Sequence, residues 1–387
     1  MPIRGEASGG ALDAVYEDGR DWLGEASWFD AHTHIGENDP DGVTATTAEI
    51  LGGLDAAGHR RALLFPQHEP RGDGAANDTV LSACASSGDR LTALVRVDPN
   101  AANSVEEARR GLDAGAAGVK LHPRSDGFGL PHPAVDAIVA LAAERRGIVL
   151  FHAGRGIPAL GPDAVRLARA HPEVTIILAH AGISDLGLLR EAAAELTNLC
   201  FDTAWWQVGD LLGLMTSVPP GQILYASDMP YGPGRFAALL MLRTARAAGH
   251  APATVRAMDG GQLGRIVAGE APADLGRTIG TGALGPRAPV LERVVAHAAS
   301  AVQVALRGGD PTEGLALARL GCQRTGGEEH EALLAAADHA LELAQRQLAA
   351  DPGGDRWSAL PGALVAQALC GTQEAGVPPG SPSTAGS

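Results

Sequence analysis

Between about Ala26 and Gly269 the chain alternates between two textures. Eight short apolar runs, WFDAHTH, RALLFP, LTALVRV, GVKLH, GIVLFH, VTIILAH, LCFDT and QILYASD, lean toward β-structure. Ala-rich stretches of helical spacing, such as AVDAIVALAAERRG and FAALLMLRTARAAG, separate them. A helix that follows each strand returns the chain to the same end of a sheet, so successive strands pair in parallel. Eight such units in about 250 residues match a (β/α)8, or TIM, barrel. The alternative is a doubly wound open sheet. That fold places a Gly-rich phosphate loop after its first strand, and HTHIGENDPDG is not one.

After about Gly285 the texture changes. PVLERVVAHAASAVQVALRGG and EEHEALLAAADHALELAQRQLAA read as amphipathic helices, the second with Leu334, Leu341 and Leu348 seven residues apart and Ala337 and Ala344 between them. The expected organisation is an N-terminal extension over 1–25, a barrel over 26–285, a helical appendage over 286–370 and a disordered tail over 371–387 rich in Pro, Gly and Ser. The appendage is expected to cap the barrel, to pair two copies of the chain or to recruit a partner.

Hydrophobic residues make up 45% of the 387, enough for a buried core, but aromatics are only 4%, so that core must rest on Leu, Val, Ile and Ala. A net charge of −15 repels nucleic acid and anionic membrane, which excludes both as bulk partners and leaves small molecules. Cys84, Cys200, Cys322 and Cys370 form no CxxC pair and read as reduced thiols. With no apolar leader and no run long enough to span a bilayer, the expected compartment is the cytoplasm.

The polar residues fall at the carboxyl ends of the runs. His32 and His34 close the first, Lys120 and His122 the fourth, His152 the fifth, His180 the sixth and Asp228 the eighth. In a barrel those ends converge on one mouth, where active sites are built. Burying several such groups together is costly unless something pairs with them, and a divalent cation satisfies imidazoles and a carboxylate at once. His32, His34 and His152 would supply nitrogens and Asp228 an oxygen, with His180 beside them to move a proton. This donor set suits zinc, with manganese, iron or nickel as alternatives. An open coordination position would lower the pKa of a water, and Asp228 would accept its proton. Arg96, Arg124 and Arg155 follow the third, fourth and fifth runs and suit a substrate carboxylate. Trp205, Trp206 and Tyr231 would wall the cavity. His59, His171 and His250, in or after helices, read as surface residues.

The order of DAHTH, KLHP, FHAG, LAHAG and SDMPYG resembles the amidohydrolase superfamily, in particular its amidohydrolase-related branch of hydrolases, lactonases and decarboxylases. The resemblance spans roughly Ser27 to Gly269. It implies that His32, His34, His152 and Asp228 hold the metal and that His180 is the catalytic histidine. It also leaves Lys120 two roles, an ordinary ammonium beside one metal or a carboxylated bridge between two. The function expected is hydrolysis of an ester, lactone or amide by metal-activated water. Non-oxidative decarboxylation of an aromatic or muconate-like acid is the alternative, and an inactive barrel with an interaction role is the third reading.

Overall fold

A computed structural model of the chain describes residues 11–40, 42–70, 72–154, 157, 159–323, 330–350 and 360–378. Its eight strands are β1 (Phe29–Ile35), β2 (Arg61–Pro66), β3 (Leu91–Arg96), β4 (Gly118–Leu121), β5 (Ile148–Phe151), β6 (Thr175–Leu178), β7 (Leu199–Asp202) and β8 (Ile223–Leu224). They hydrogen-bond in chain order, every pair parallel. The segment after β8 closes the circle on β1, with Ala31 N donating to Tyr225 O (2.9 Å), Asp228 N to His32 O (3.0 Å) and His34 N to Met229 O (2.8 Å). The fold is the (β/α)8 barrel expected from the alternation.

The helices are α1 (Ala11–Leu23), α2 (Thr47–Ala57), α3 (Gly74–Ser86), α4 (Ser104–Asp113), α5 (Pro123–Asp126), α6 (Pro133–Ala143), α7 (Gly161–Ala170), α8 (Leu186–Ala193), α9 (Val208–Ser217), α10 (Gly234–Ala248), α11 (Pro252–Arg256), α12 (Gln262–Val267), α13 (Pro289–Leu306), α14 (Thr312–Gly321), α15 (Glu331–Ala350) and α16 (Leu360–Gly371). Local sequence sets many of their ends. Thr46 and Glu49 form a reciprocal capping box at the start of α2, and Gly58, left-handed at φ 67°, ends it.

Strand residues alternate between two cores. Leu63, Phe65, Leu94, Ile148, Leu150, Ile177, Cys200 and Leu224 fill the barrel interior. Ala62, Leu64, Val95, Val119, Val149, Phe151, Ile176 and Phe201 face outward to the helices. Burial on both faces explains why the runs read as continuous apolar stretches. A register shift between Asp30 and Thr33 breaks the alternation in β1. It allows Ala31 to pack inside while the His32 ring also lies inside, 5.1 Å from that of Phe65.

The appended helices share the outer core with the barrel. In α16 every residue except Gly362 is buried, as befits a helix that is apolar all round. Leu334 and Leu341 of the seven-residue seam are fully buried within this chain. Arg243 of α10, itself 3% exposed, donates from Nε to Thr372 Oγ1 (2.9 Å) and from Nη2 to Gly376 O (2.9 Å). The first residues of the expected disordered tail are thus tied to the barrel, while residues 379–387 lie outside the described residues. At the other end α1 docks on α10, and Tyr16 Oη donates to Ala57 O (2.8 Å). No described helix is long and apolar enough to cross a membrane.

Candidate active site

Five of the expected residues meet at the carboxyl ends of the strands. His32, His180 and Asp228 each offer a ligand atom, and the three atoms lie within 4.8 Å of one another. His34 and His152 flank this group. The Nε2 atoms of His34 and His32 are 3.1 and 3.3 Å from Asp228 Oδ1, and His152 Nδ1 is 2.9 Å from His180 Nε2. The tightest group therefore contains His180, where His34 and His152 were expected. The backbone explains the difference. His180 stands just past β6 with φ 58°, Ala179 before it packs inside, and the ring turns into the mouth. The His152 ring instead stacks on that of His122, with centroids 4.0 Å apart and planes 11° from parallel.

The surrounding hydrogen bonds fit this group to a cation. His32 Nδ1 is 2.8 Å from Asp202 Oδ2, and His180 Nδ1 is 2.8 Å from the carbonyl of Ala204. Each Nδ1–H is thus donated to an oxygen, which leaves the Nε2 lone pair facing the shared space, the arrangement metal-ligating histidines need. Burial lowers the pKa of His32, His34 and His180; the Lys120 charge adds to the effect, and at His180 the Asp228 carboxylate opposes it. Burial raises Asp228, opposed by His180 and Lys120. Lys120 is fully buried, with Nζ 3.4 Å from His32 Nε2 and 4.8 Å over the Phe65 ring. Burial lowers its pKa too.

Above the cluster lies a cavity of about 430 Å³, within the usual size range of small-molecule sites. Strand order divides its walls. The β2–β4 side is polar, with Gln67, His68, Arg96, Arg124 and Ser125; the β7–β8–β1 side carries Trp205, Trp206, Tyr231, Pro40 and Val43. Arg96 lines the cavity but is already ion-paired, its Nη2 donating to Asp126 Oδ1 at 2.6 Å and to Ser125 Oγ at 2.5 Å. Its charge is spent within the chain and is not a free clamp for a substrate. Arg124 is exposed at the mouth, and Arg155 lies outside the described residues. His122 accepts from Ser125 N (3.2 Å) and forms wall, not cluster. Trp205 donates to Asp210 Oδ2 (2.6 Å), and Tyr231 donates to Asp39.

The sequence profile of one family, described as amidohydrolase, matches residues 29–258, more than half of the chain. The chain belongs to the amidohydrolase family. Among solved structures, an amidohydrolase from Burkholderia multivorans with bound zinc is similar at 14% identity, over 63% of this chain and 99% of that one, with a TM-score of 0.52. A 2,6-dihydroxybenzoate decarboxylase in complex with 2,6-dihydroxybenzoate is similar at 16% identity, over 63% and 100%, with a TM-score of 0.50. A 5-carboxyvanillate decarboxylase from Sphingomonas paucimobilis is similar at 15% identity, over 63% and 99%, with a TM-score of 0.49. These likenesses are of fold. No curated protein matches the chain.

Two buried carboxylates of this amidohydrolase went unremarked in the sequence reading. Asp202 accepts from His180 N (2.8 Å) and Ala204 N (3.0 Å) besides holding His32. Asp30 accepts from His32 N and Ser227 N, both at 3.0 Å, and so ties the two ligand-bearing segments together. The signal for Asp202 was present, since it ends the seventh run two residues after the inward-facing Cys200. Two expectations away from the site are overturned. His59 and His250 are buried, at 3% and 7% exposure. His59 stacks on Trp28 (5.2 Å), and His250 Nε2 lies 2.8 Å from Met215 O, so each ring is absorbed where a helix packs on the barrel.

Proposed function

We propose that this amidohydrolase is a metal-dependent hydrolase acting on the carbonyl carbon of an ester, lactone or amide in a small, carboxylate-bearing substrate. The observation that carries the reading is the convergence of His32, His180 and Asp228 beneath the cavity. Those three residues would hold one divalent ion, zinc first and manganese or iron as alternatives, with His34 at its edge. Bound there, the ion would polarise the carbonyl and acidify a water.

The chain's own residues supply the rest. Asp228 is 19% exposed where Asp202 is 0%, so it is the carboxylate that reaches the cavity and takes the proton of the attacking water. Were a metal held by His180 Nε2, His152, whose Nδ1 is now 2.9 Å from that atom, would be placed to donate a proton to the leaving atom. This exchanges the roles that the sequence suggested for His152 and His180. Arg124 meets a substrate anion at the mouth. A second reading, non-oxidative decarboxylation of an aromatic acid, draws on Trp205 and Trp206, whose rings suit a planar substrate.

Elemental analysis of the purified protein and three variants tests the proposal. The wild type is expected to hold one equivalent of divalent metal, His180→Asn and Asp228→Asn to lose it, and His152→Asn to keep it. Carbon dioxide release from aromatic acids, with no cleavage of lactones, esters or amides, would move the assignment to the second reading. A protein without metal that gains no thermal stability from zinc, manganese or iron would end both and leave a metal-free lactonase or an inactive barrel.

A further inference from the structure

The cavity is not closed by barrel loops alone. The last turn of α13 completes its wall through Gln303 and Leu306. This helix lies beyond the residues that match the family. Solved barrels are matched over 99–100% of their length by only 63% of this chain, so the shared fold leaves a large part of the chain unaccounted for. A piece of the substrate wall therefore comes from outside the common barrel.

That piece is fixed to the rest of the wall. Gln367 of α16 accepts from Val208 N at the start of α9 (3.1 Å), immediately after the loop carrying Trp205 and Trp206. Gly371 of α16 approaches Val208 so closely that a Cβ there would stand 2.7 Å from Val208 Cγ1. The same helix packs along α13. One buried helix thus touches both α9, which follows the tryptophan loop, and α13, which carries Leu306. Trp206 is itself held edge-on by Gly232, where an added Cβ would meet the ring at 2.6 Å.

We propose that the appended helices determine substrate selectivity, with Leu306 and Trp206 forming a gauge for the apolar, planar body of an aryl or bicyclic carboxylic acid derivative. The proposal rests on the metal-centred reading above and adds the identity of the wall that measures the substrate. Because α16 packs against the helices that carry or follow both residues, the width of the gauge is set by the side chain at position 306.

Isothermal titration of the zinc-loaded full chain with benzoate, 2-naphthoate and biphenyl-4-carboxylate tests it, with zinc content measured on every sample. Wild type is expected to bind at least one of the three acids. Leu306→Trp should weaken 2-naphthoate at least tenfold while benzoate changes less than threefold. Leu306→Ala should shift preference toward biphenyl-4-carboxylate by a similar factor. Leu320→Ala, on the exposed face of α14 (46% exposed), should leave all three as in wild type. Binding unchanged in both Leu306 variants with zinc retained overturns the gauge, and so does failure of the zinc-loaded wild type to bind any of the acids. Failure to take up zinc at all falls instead on the metal-centred reading.

Discussion

Asp202 illustrates how a residue outside the reacting cluster can govern it. Its carboxylate receives the ring of His32 and two backbone amides, one from His180. It thereby fixes the tautomer of one donor and the strained turn that carries another. Asp202→Asn should weaken metal binding 10–100-fold by chelator competition, with far-UV circular dichroism unchanged. Undiminished affinity would show that something else orients His32. Single residues were legible in the sequence when their position sufficed, as with His32, His34 and Asp228 at strand ends. They were not legible when a partner decided the role. Arg96 looked available for a substrate because Asp126, which neutralises it, lies in another element, at the end of α5, and periodicity encodes no such pairing. His59 looked exposed because the Trp28 ring that covers it comes from the segment before β1.

All eight strands were visible as elements because a strand buried on both faces must be apolar throughout. The run for β8 exceeds its strand the most. It shrinks to Ile223–Leu224, since Tyr225 to Met229 bond to β1 across the closure. Helix α16 escaped notice for the converse reason. It is buried on every side, so it shows no polar face and no seam. Its packing is close: a Cβ on Gly362 would stand 2.3 Å from Ala340 O and 2.8 Å from Ala344 Cβ in α15. Backbone cannot yield as a flexible side chain does. Gly362→Val is therefore expected to cost about 1–3 kcal/mol in urea unfolding. A variant as stable as wild type would mean that α15 and α16 slide freely.

At the scale of the molecule, barrel and appendage share one apolar core. A single apolar cluster runs from Val15 and Tyr16 through the outward faces of the strands to Leu291, Leu341 and Leu369. The sequence divides the chain near Gly285 because composition changes there, and composition does not report which surfaces meet. Differential scanning calorimetry of the full chain should show one cooperative transition; two separated transitions would mean independent units. This architecture also orders events during synthesis. The strands and their histidines precede α16 in the chain, and α16 touches both the start of α9 and α13. If the chain unfolds in one transition, its histidines reach their final spacing only once the helices after the barrel have docked.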